Sequence, residues 1–352
     1  MTATTRITMH PVRNDALPRI AGGLLSAVVA TGLTVQQLRH RRVLRGQGDE
    51  SFFGTSTGNV LAYRLTEAEG PDSSSPVLVC ETGLCSTVEH WIWLCRMLGR
   101  DHPVLAYNRA GYGRSEYRLR EPFSLAAAVA DLRDLVREVC PSRPVVLVGH
   151  SLGGHLALRA VEPLRDLVIG VVLLDPSHPA ELLRSRIQAD GANVLTSALA
   201  LMPESARLGL GSLLASPPWL RWLPEGVRPL VLDQFRDWKL WKATVREWRA
   251  THTEFLNHDG VLPKVGVPLR LVAAATTHAR DPIHAELHRE LVDTSPDGDL
   301  CLIEDARHDE LVMNEQPAAQ VAELIREFTS GLRTSGLCTS GLRPTPDAPE
   351  VR

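Results

Sequence analysis

Hydrophobic positions along the chain fall into two recurring patterns. Short runs of β-formers alternate with longer stretches whose apolar residues recur every three or four positions. "SFFGTSTGNVLAYRLT" predicts two short strands around the turn Thr57-Gly58-Asn59. A polar loop, "EAEGPDSSSP", follows. From Val77 the order is strand "VLVCE", helix "VEHWIWLCRMLGR", strand "PVLAYN" and helix "SLAAAVADLRDLVREVC", with Ser124 as N-cap. Strand "PVVLVGH", helix "LGGHLALRAVEPL" and strand "LVIGVVLLD" come next. After a long interval the alternation resumes with "VPLRLVAAA", "IHAELHRELV", "DLCLIED" and "PAAQVAELIREF". Strand and helix alternating at this spacing predict an α/β fold, a mostly parallel sheet covered by helices on both faces.

Three segments break the pattern. Residues 178–262 are helical and loop-like, with breaks at "SPPW" and "LPEG", and predict a helical cap inserted after the sixth strand. Five of the seven tryptophans lie there: Trp219, Trp222, Trp238, Trp241 and Trp248. Most are expected to pack the cap, and some to line an apolar pocket. Residues 330–352 repeat "TSGLR", end in a Pro-rich run, and predict a disordered tail. Residues 1–45 hold the uncharged stretch Ile20–Val35 between arginines. Its sixteen residues fall short of the ~20 that span a bilayer. A membrane anchor, a signal peptide cleaved after Ala30 and a small-residue helix packed on the body all remain open. The arginine balance leans slightly towards a cytoplasmic catalytic domain, so the expected location is membrane-associated or cytoplasmic. The core is then 46–177 plus 263–329.

The chain of 352 residues is 44% hydrophobic and 22% charged, as globular proteins are. A net charge of −3 gives no reason to expect a nucleic-acid partner. None of the six cysteines has zinc-ligand spacing; most are expected to serve as small buried hydrophobes, with Cys338 in the tail. Neither metal nor organic cofactor is implied.

The chemistry concentrates at strand ends. Gly149-His150-Ser151-Leu152-Gly153 is a G-x-S-x-G sequence. Alone it is weak, but here a strand feeds it and a helix leaves it, the setting of a nucleophile elbow. Ser151 is the candidate nucleophile, and the Leu152 N–H at the helix start would face a developing oxyanion. A second donor is expected from the loop "ETGLC", where Gly83 permits close approach and Leu84 supplies an N–H. Gly111 and Gly113 in "YNRAGYGRS" read as turn scaffold. Of thirteen histidines, His308 lies in the loop between the last strand and the last helix, and is the candidate general base. His150 and His155 flank the elbow without a clear route back to Ser151.

Together "GHSLGG", "NRAGYGRS", the "ETGL" loop and "RHDELVMNEQP" resemble the α/β-hydrolase superfamily over about Gly54 to Phe328. More narrowly they resemble bacterial capped serine hydrolases of esterase type, several of which begin with an apolar segment. Glu81 stands where many relatives have His, which bears on the shape of the oxyanion loop. Asn108 stands where Asp is commoner. The resemblance implies a chain order of Ser, acid, His, which both Asp175 and Asp281 satisfy. Relatives most often carry the acid just after the strand "VPLRLVAAA", where this chain has Thr276 and Thr277. Asp281 precedes Pro282 and reads as a helix N-cap. Asp175 ends its strand at the ligand-binding edge of the sheet and is preferred.

The expectation is therefore a serine hydrolase, Ser151–His308–Asp175, cleaving a small carboxylic ester with an apolar acyl or alcohol group through an acyl-enzyme. Dehalogenase and epoxide-hydrolase chemistry would require a carboxylate at position 151. The alternatives are a non-catalytic ligand-binding or sensor protein on the same fold, or a cofactor-free lyase or peroxidase-like activity. Oligomeric state is not legible.

Overall fold

A computed structural model describes residues 16–69, 75–118 and 120–339, with backbone alone for 16–29 and 333–339. Eight strands form one sheet in the order β1-β2-β4-β3-β5-β6-β7-β8. Strands β1 (Ser51–Gly54) and β2 (Val60–Thr66) make the expected hairpin, and β2 runs antiparallel to β4 (Val104–Asn108). The rest is parallel: β3 (Val77–Glu81), β5 (Val145–His150), β6 (Val168–Leu174), β7 (Leu269–Ala274) and β8 (Gly298–Ile303).

Strand alternation divides the core into two layers. Val77 and Val79 of β3, with Val145 and Leu147 of β5, pack with α3 (Leu125–Val139) and α4 (Leu152–Ala160). Leu78 and Cys80, with Val146 and Val148, face the other way onto α2 (Ile92–Leu98) and α13 (Glu315–Thr339). Every residue of β3, β4 and β5 is buried, which is why these strands read as continuous apolar runs. Ser124 caps α3 as expected, accepting the Ala127 N–H at 3.2 Å.

Between β6 and β7 the chain forms α5 (Glu181–Arg184), α6 (Arg186–Leu199), α7 (Met202–Arg207), α8 (Arg228–Phe235) and α9 (Trp238–Leu256). After β7 come α10 (Ala275–Arg280) and α11 (Pro282–Val292); α12 (Glu310–Met313) follows β8.

Two terminal expectations change. Helix α13 continues through Thr339, past the start of the repeat that predicts a disordered tail at 330. Leu332 packs beside Ile325 and Phe328 on the second core layer, which offsets the helix-weakening Gly331. Residues 340–352 of the expected tail lie outside the described residues.

At the other end, Ile20–Val35 lies within α1 (Ala16–Arg45), and no helix among the described residues is long and apolar enough to cross a membrane. The C-terminal part of α1 instead docks on the inserted helices. Gln36 Nε2 donates to Asp237 Oδ2 at 2.8 Å, and Arg42 clasps Asp233 at 2.6 and 3.0 Å. Leu33 and Val35, at the end of the uncharged stretch itself, are exposed. The N-terminal residues 1–15 lie outside the described residues. Cys80, Cys85, Cys95, Cys140 and Cys301 are all free, and Cys80 and Cys140 are fully buried.

Candidate active site

Strand β5 ends at His150, and the chain turns into α4 within one residue. Ser151 makes that turn with φ 56° and ψ −125°, a left-handed conformation costly for a side-chain-bearing residue. Tight packing enforces it: a Cβ on Gly149 would meet the Gly153 carbonyl at 2.5 Å, and one on Gly153 would strike the carbonyls of Glu81 and Thr82. The Ser151 N–H donates to the Leu174 carbonyl at 3.0 Å, and its own carbonyl accepts the Ser177 N–H at 3.0 Å. The serine is thus fixed beside the residue that follows β6.

That residue is Asp175, fully buried and also left-handed, with φ 43°. Its Oδ2 lies 2.7 Å from His308 Nδ1 and accepts the Thr277 hydroxyl at 2.8 Å. Its Oδ1 accepts the Ala274 N–H at 3.3 Å. Burial would raise its pKa, but the bond and charge of His308 hold it well below the usual carboxylate range. For His308, desolvation lowers the pKa, and Asp175 more than reverses this, pushing it up to about 9. His150 braces His308: its Nε2 lies 3.1 Å from the His308 carbonyl oxygen, with ring centroids 4.5 Å apart. Burial, then the neighbouring His308, push His150 down to about 4.

Asp281 is elsewhere engaged. It caps α11, accepting the His284 N–H at 3.2 Å and the Ser185 hydroxyl at 2.6 Å. Thr277, near the position where relatives commonly carry the acid, donates to Asp175 instead. His155 faces Glu254 at 3.4 Å, away from the elbow.

Gly83 and Leu84 lie across from the elbow, and a Cβ on Gly83 would meet Ser151 Cβ at 3.2 Å. Arg109, which sequence reasoning passed over as part of a turn, secures this loop. Its guanidinium donates to the carbonyls of Thr82 and Gly83, the latter at 2.9 Å. It is itself held by Glu81 at 2.7 Å and by Glu247 of α9 at 2.6 Å. Tyr107 donates to Glu81, and Tyr112 to Glu247 at 2.8 Å. The unusual Glu81 therefore has a charge partner two residues beyond Tyr107 in the chain. Asn108 accepts the Val88 N–H at 3.0 Å, a structural bond.

Ser151 and His308 border two cavities. The smaller, about 190 Å³, is lined by Gly83, Leu84, Trp219, Phe235, Leu240 and Met313. The larger, about 620 Å³, opens past Asp175. Of the inserted tryptophans, Trp219 reaches the small cavity, while Trp241 is buried with its N–H on the Phe235 carbonyl. His150, His308 and Asp309 each bring one ligand atom within 4.8 Å of the others.

The sequence pattern of the alpha/beta hydrolase family matches residues 77–324. The chain belongs to that family. It is 31% identical over 201 residues to lipase LipV of Mycobacterium tuberculosis, covering 54% of this chain and 71% of the lipase. It is 31% identical over 103 residues to a putative carbamate hydrolase of Pseudomonas savastanoi, covering 29% of this chain and 39% of that protein. A thermophilic esterase from Thermogutta terrifontis superposes with TM-score 0.56 at 20% identity, over 80% of this chain and 98% of the esterase. A putative lipase from Acinetobacter baumannii gives 0.61 at 17% identity, over 86% and 97%. Hydrolysis is common to these names; the bond cleaved is not.

Proposed function

We propose that this alpha/beta hydrolase is a serine esterase. The observation that carries the reading is the 2.7 Å contact between His308 Nδ1 and the buried Asp175, beside a serine held in a strained turn. Asp175 fixes the imidazole so that the other ring nitrogen serves Ser151. Ser151 Oγ attacks the ester carbonyl and its proton passes to His308. The N–H groups of Leu152 and Leu84 stabilise the oxyanion, each worth about 10²–10³ in rate. Collapse expels the alcohol, which takes the proton from His308. Water then attacks the acyl-enzyme with His308 as base, releasing the carboxylic acid and restoring Ser151. The helices from 178 to 262 act as the cap, closing the small cavity with Trp219, Phe235 and Leu240. A serine hydroxyl at position 151 favours acyl transfer over epoxide opening, which uses a carboxylate nucleophile.

A fluorophosphonate probe tests the assignment. The folded wild-type protein should label at Ser151, and Ser151→Ala should not. A folded protein that resists labelling and turns over no p-nitrophenyl ester would instead be a ligand-binding member of the family.

A further inference from the structure

The cavity beyond Asp175 has more charged residues in its wall than the smaller one. It shares Ser151 and His308 with it, so a substrate whose scissile bond lies at Ser151 extends into both. Three carboxylates border the cleft, and each is already engaged. Asp175 holds His308 and Thr277. Asp281 is buried and spends its oxygens on the Ser185 hydroxyl and the His284 N–H. Glu181 is buried, with Oε2 accepting the His178 N–H at 3.0 Å, and burial pushes its carboxyl up to about 7.

Two cations border the same cleft. Arg280 ends α10, and Arg307 directly precedes His308. Both are exposed, and no ion pair engages either guanidinium among the described residues. Arg184 near the same cleft, by contrast, is paired with Glu290 at 2.7 Å. An anion bound in the cleft would give both guanidinium groups charge-assisted hydrogen bonds.

We propose that this cleft is a subsite for a carboxylate on the substrate, held by Arg280 and Arg307, with the uncharged part of the ester in the small apolar cavity. The substrate class is then a carboxylate-bearing ester, narrower than the apolar esters that the tryptophan-rich insertion suggests. The proposal rests on the serine-esterase reading.

Matched esters test it. On the alcohol side, 4-acetoxybenzoate is compared with 4-acetoxybenzamide. On the acyl side, 4-nitrophenyl hydrogen adipate is compared with 4-nitrophenyl hexanoate. In at least one pair the charged ester should be favoured about tenfold in kcat/KM, and the preference should shrink as salt rises from 20 to 500 mM. Arg280→Gln combined with Arg307→Gln should bring that ratio close to one, while Arg165→Gln, on a remote exposed surface, should not change it. Ratios near one in both pairs for wild type, or a preference that survives in the double variant, would overturn the proposal. Hydrolysis of the neutral esters reports separately on the esterase reading. If neither ester turns over, Ser151→Ala decides the subsite by itself. Its Tm should rise with 4-acetoxybenzoate and not with the amide, and this difference should vanish when both arginines are replaced. Equal shifts, or none, would reject the subsite.

Discussion

Cys85, Ser151, Asp175 and Asp305 are the non-glycine residues with positive φ among those described. Each sits on a different loop, and all four loops converge on the candidate site: the Gly83 loop, the elbow, the end of β6 and the approach to His308. Such a conformation costs on the order of 1–3 kcal/mol, so the surrounding packing must enforce it. Among the candidate acids, Asp175→Asn should lower kcat by about 10⁴ through loss of imidazole orientation. Asp281→Asn should leave kcat within a few-fold and cost less than about 1 kcal/mol of stability, since Asn caps a helix about as well as Asp. Parallel turnover and urea-unfolding measurements distinguish the two. The base adds a pH signature. His308 must be neutral to accept the serine proton and its pKa is pushed up to about 9, so kcat/KM should fall as pH drops below that value. In Asp175→Asn this limb should move to lower pH. Ser151 and His308 were legible as candidates because an elbow needs adjacent glycines and His308 follows the last strand. The acid was not settled by order, since Asp175 and Asp281 both satisfy it. The difference between them is spatial, in that one carboxylate faces His308 and the other a helix N-terminus.

At the scale of elements, the strands were legible because a doubly covered parallel sheet demands uninterrupted apolar runs. The Arg109 cluster was not, because it joins the ends of β3 and β4 to the middle of α9, and no local periodicity encodes such a contact. Arg109 is 3% exposed, and Glu81 and Glu247 are each 1% exposed, so the cluster has almost no water to compensate a lost partner. Removing one partner of such a pair typically costs about 3–5 kcal/mol. Arg109→Lys keeps the charge but cannot bridge both carboxylates and both carbonyls at once. It should lower stability by about 2–4 kcal/mol on that scale. It should also reduce kcat more than it raises KM, because the Gly83–Leu84 loop loses its fixed geometry. Calorimetry and steady-state kinetics on the same preparation check both.

Across the whole molecule, the amino-terminal helix, the inserted helices and the sheet are joined at buried polar points. Asp237 is fully buried, caps α9 through the Lys239 N–H at 2.8 Å, and receives Gln36 and His40 from α1. The double variant Gln36→Ala, His40→Ala should cost about 1–3 kcal/mol by leaving this carboxylate short of donors, as read by urea unfolding. Sequence alone showed an uncharged stretch and flanking arginines in α1, but not that residues beyond the stretch grip another helix. That grip adds an attachment at the start of α9, at Asp237, to the one nearer its middle, where Glu247 clasps the arginine behind Gly83. The path from α1 through α9 to the oxyanion loop consists of short, directional bonds with little slack. Replacing Gln36 and His40 is therefore expected to loosen not only α1 but also the loop behind Gly83, two helical spans away from the change.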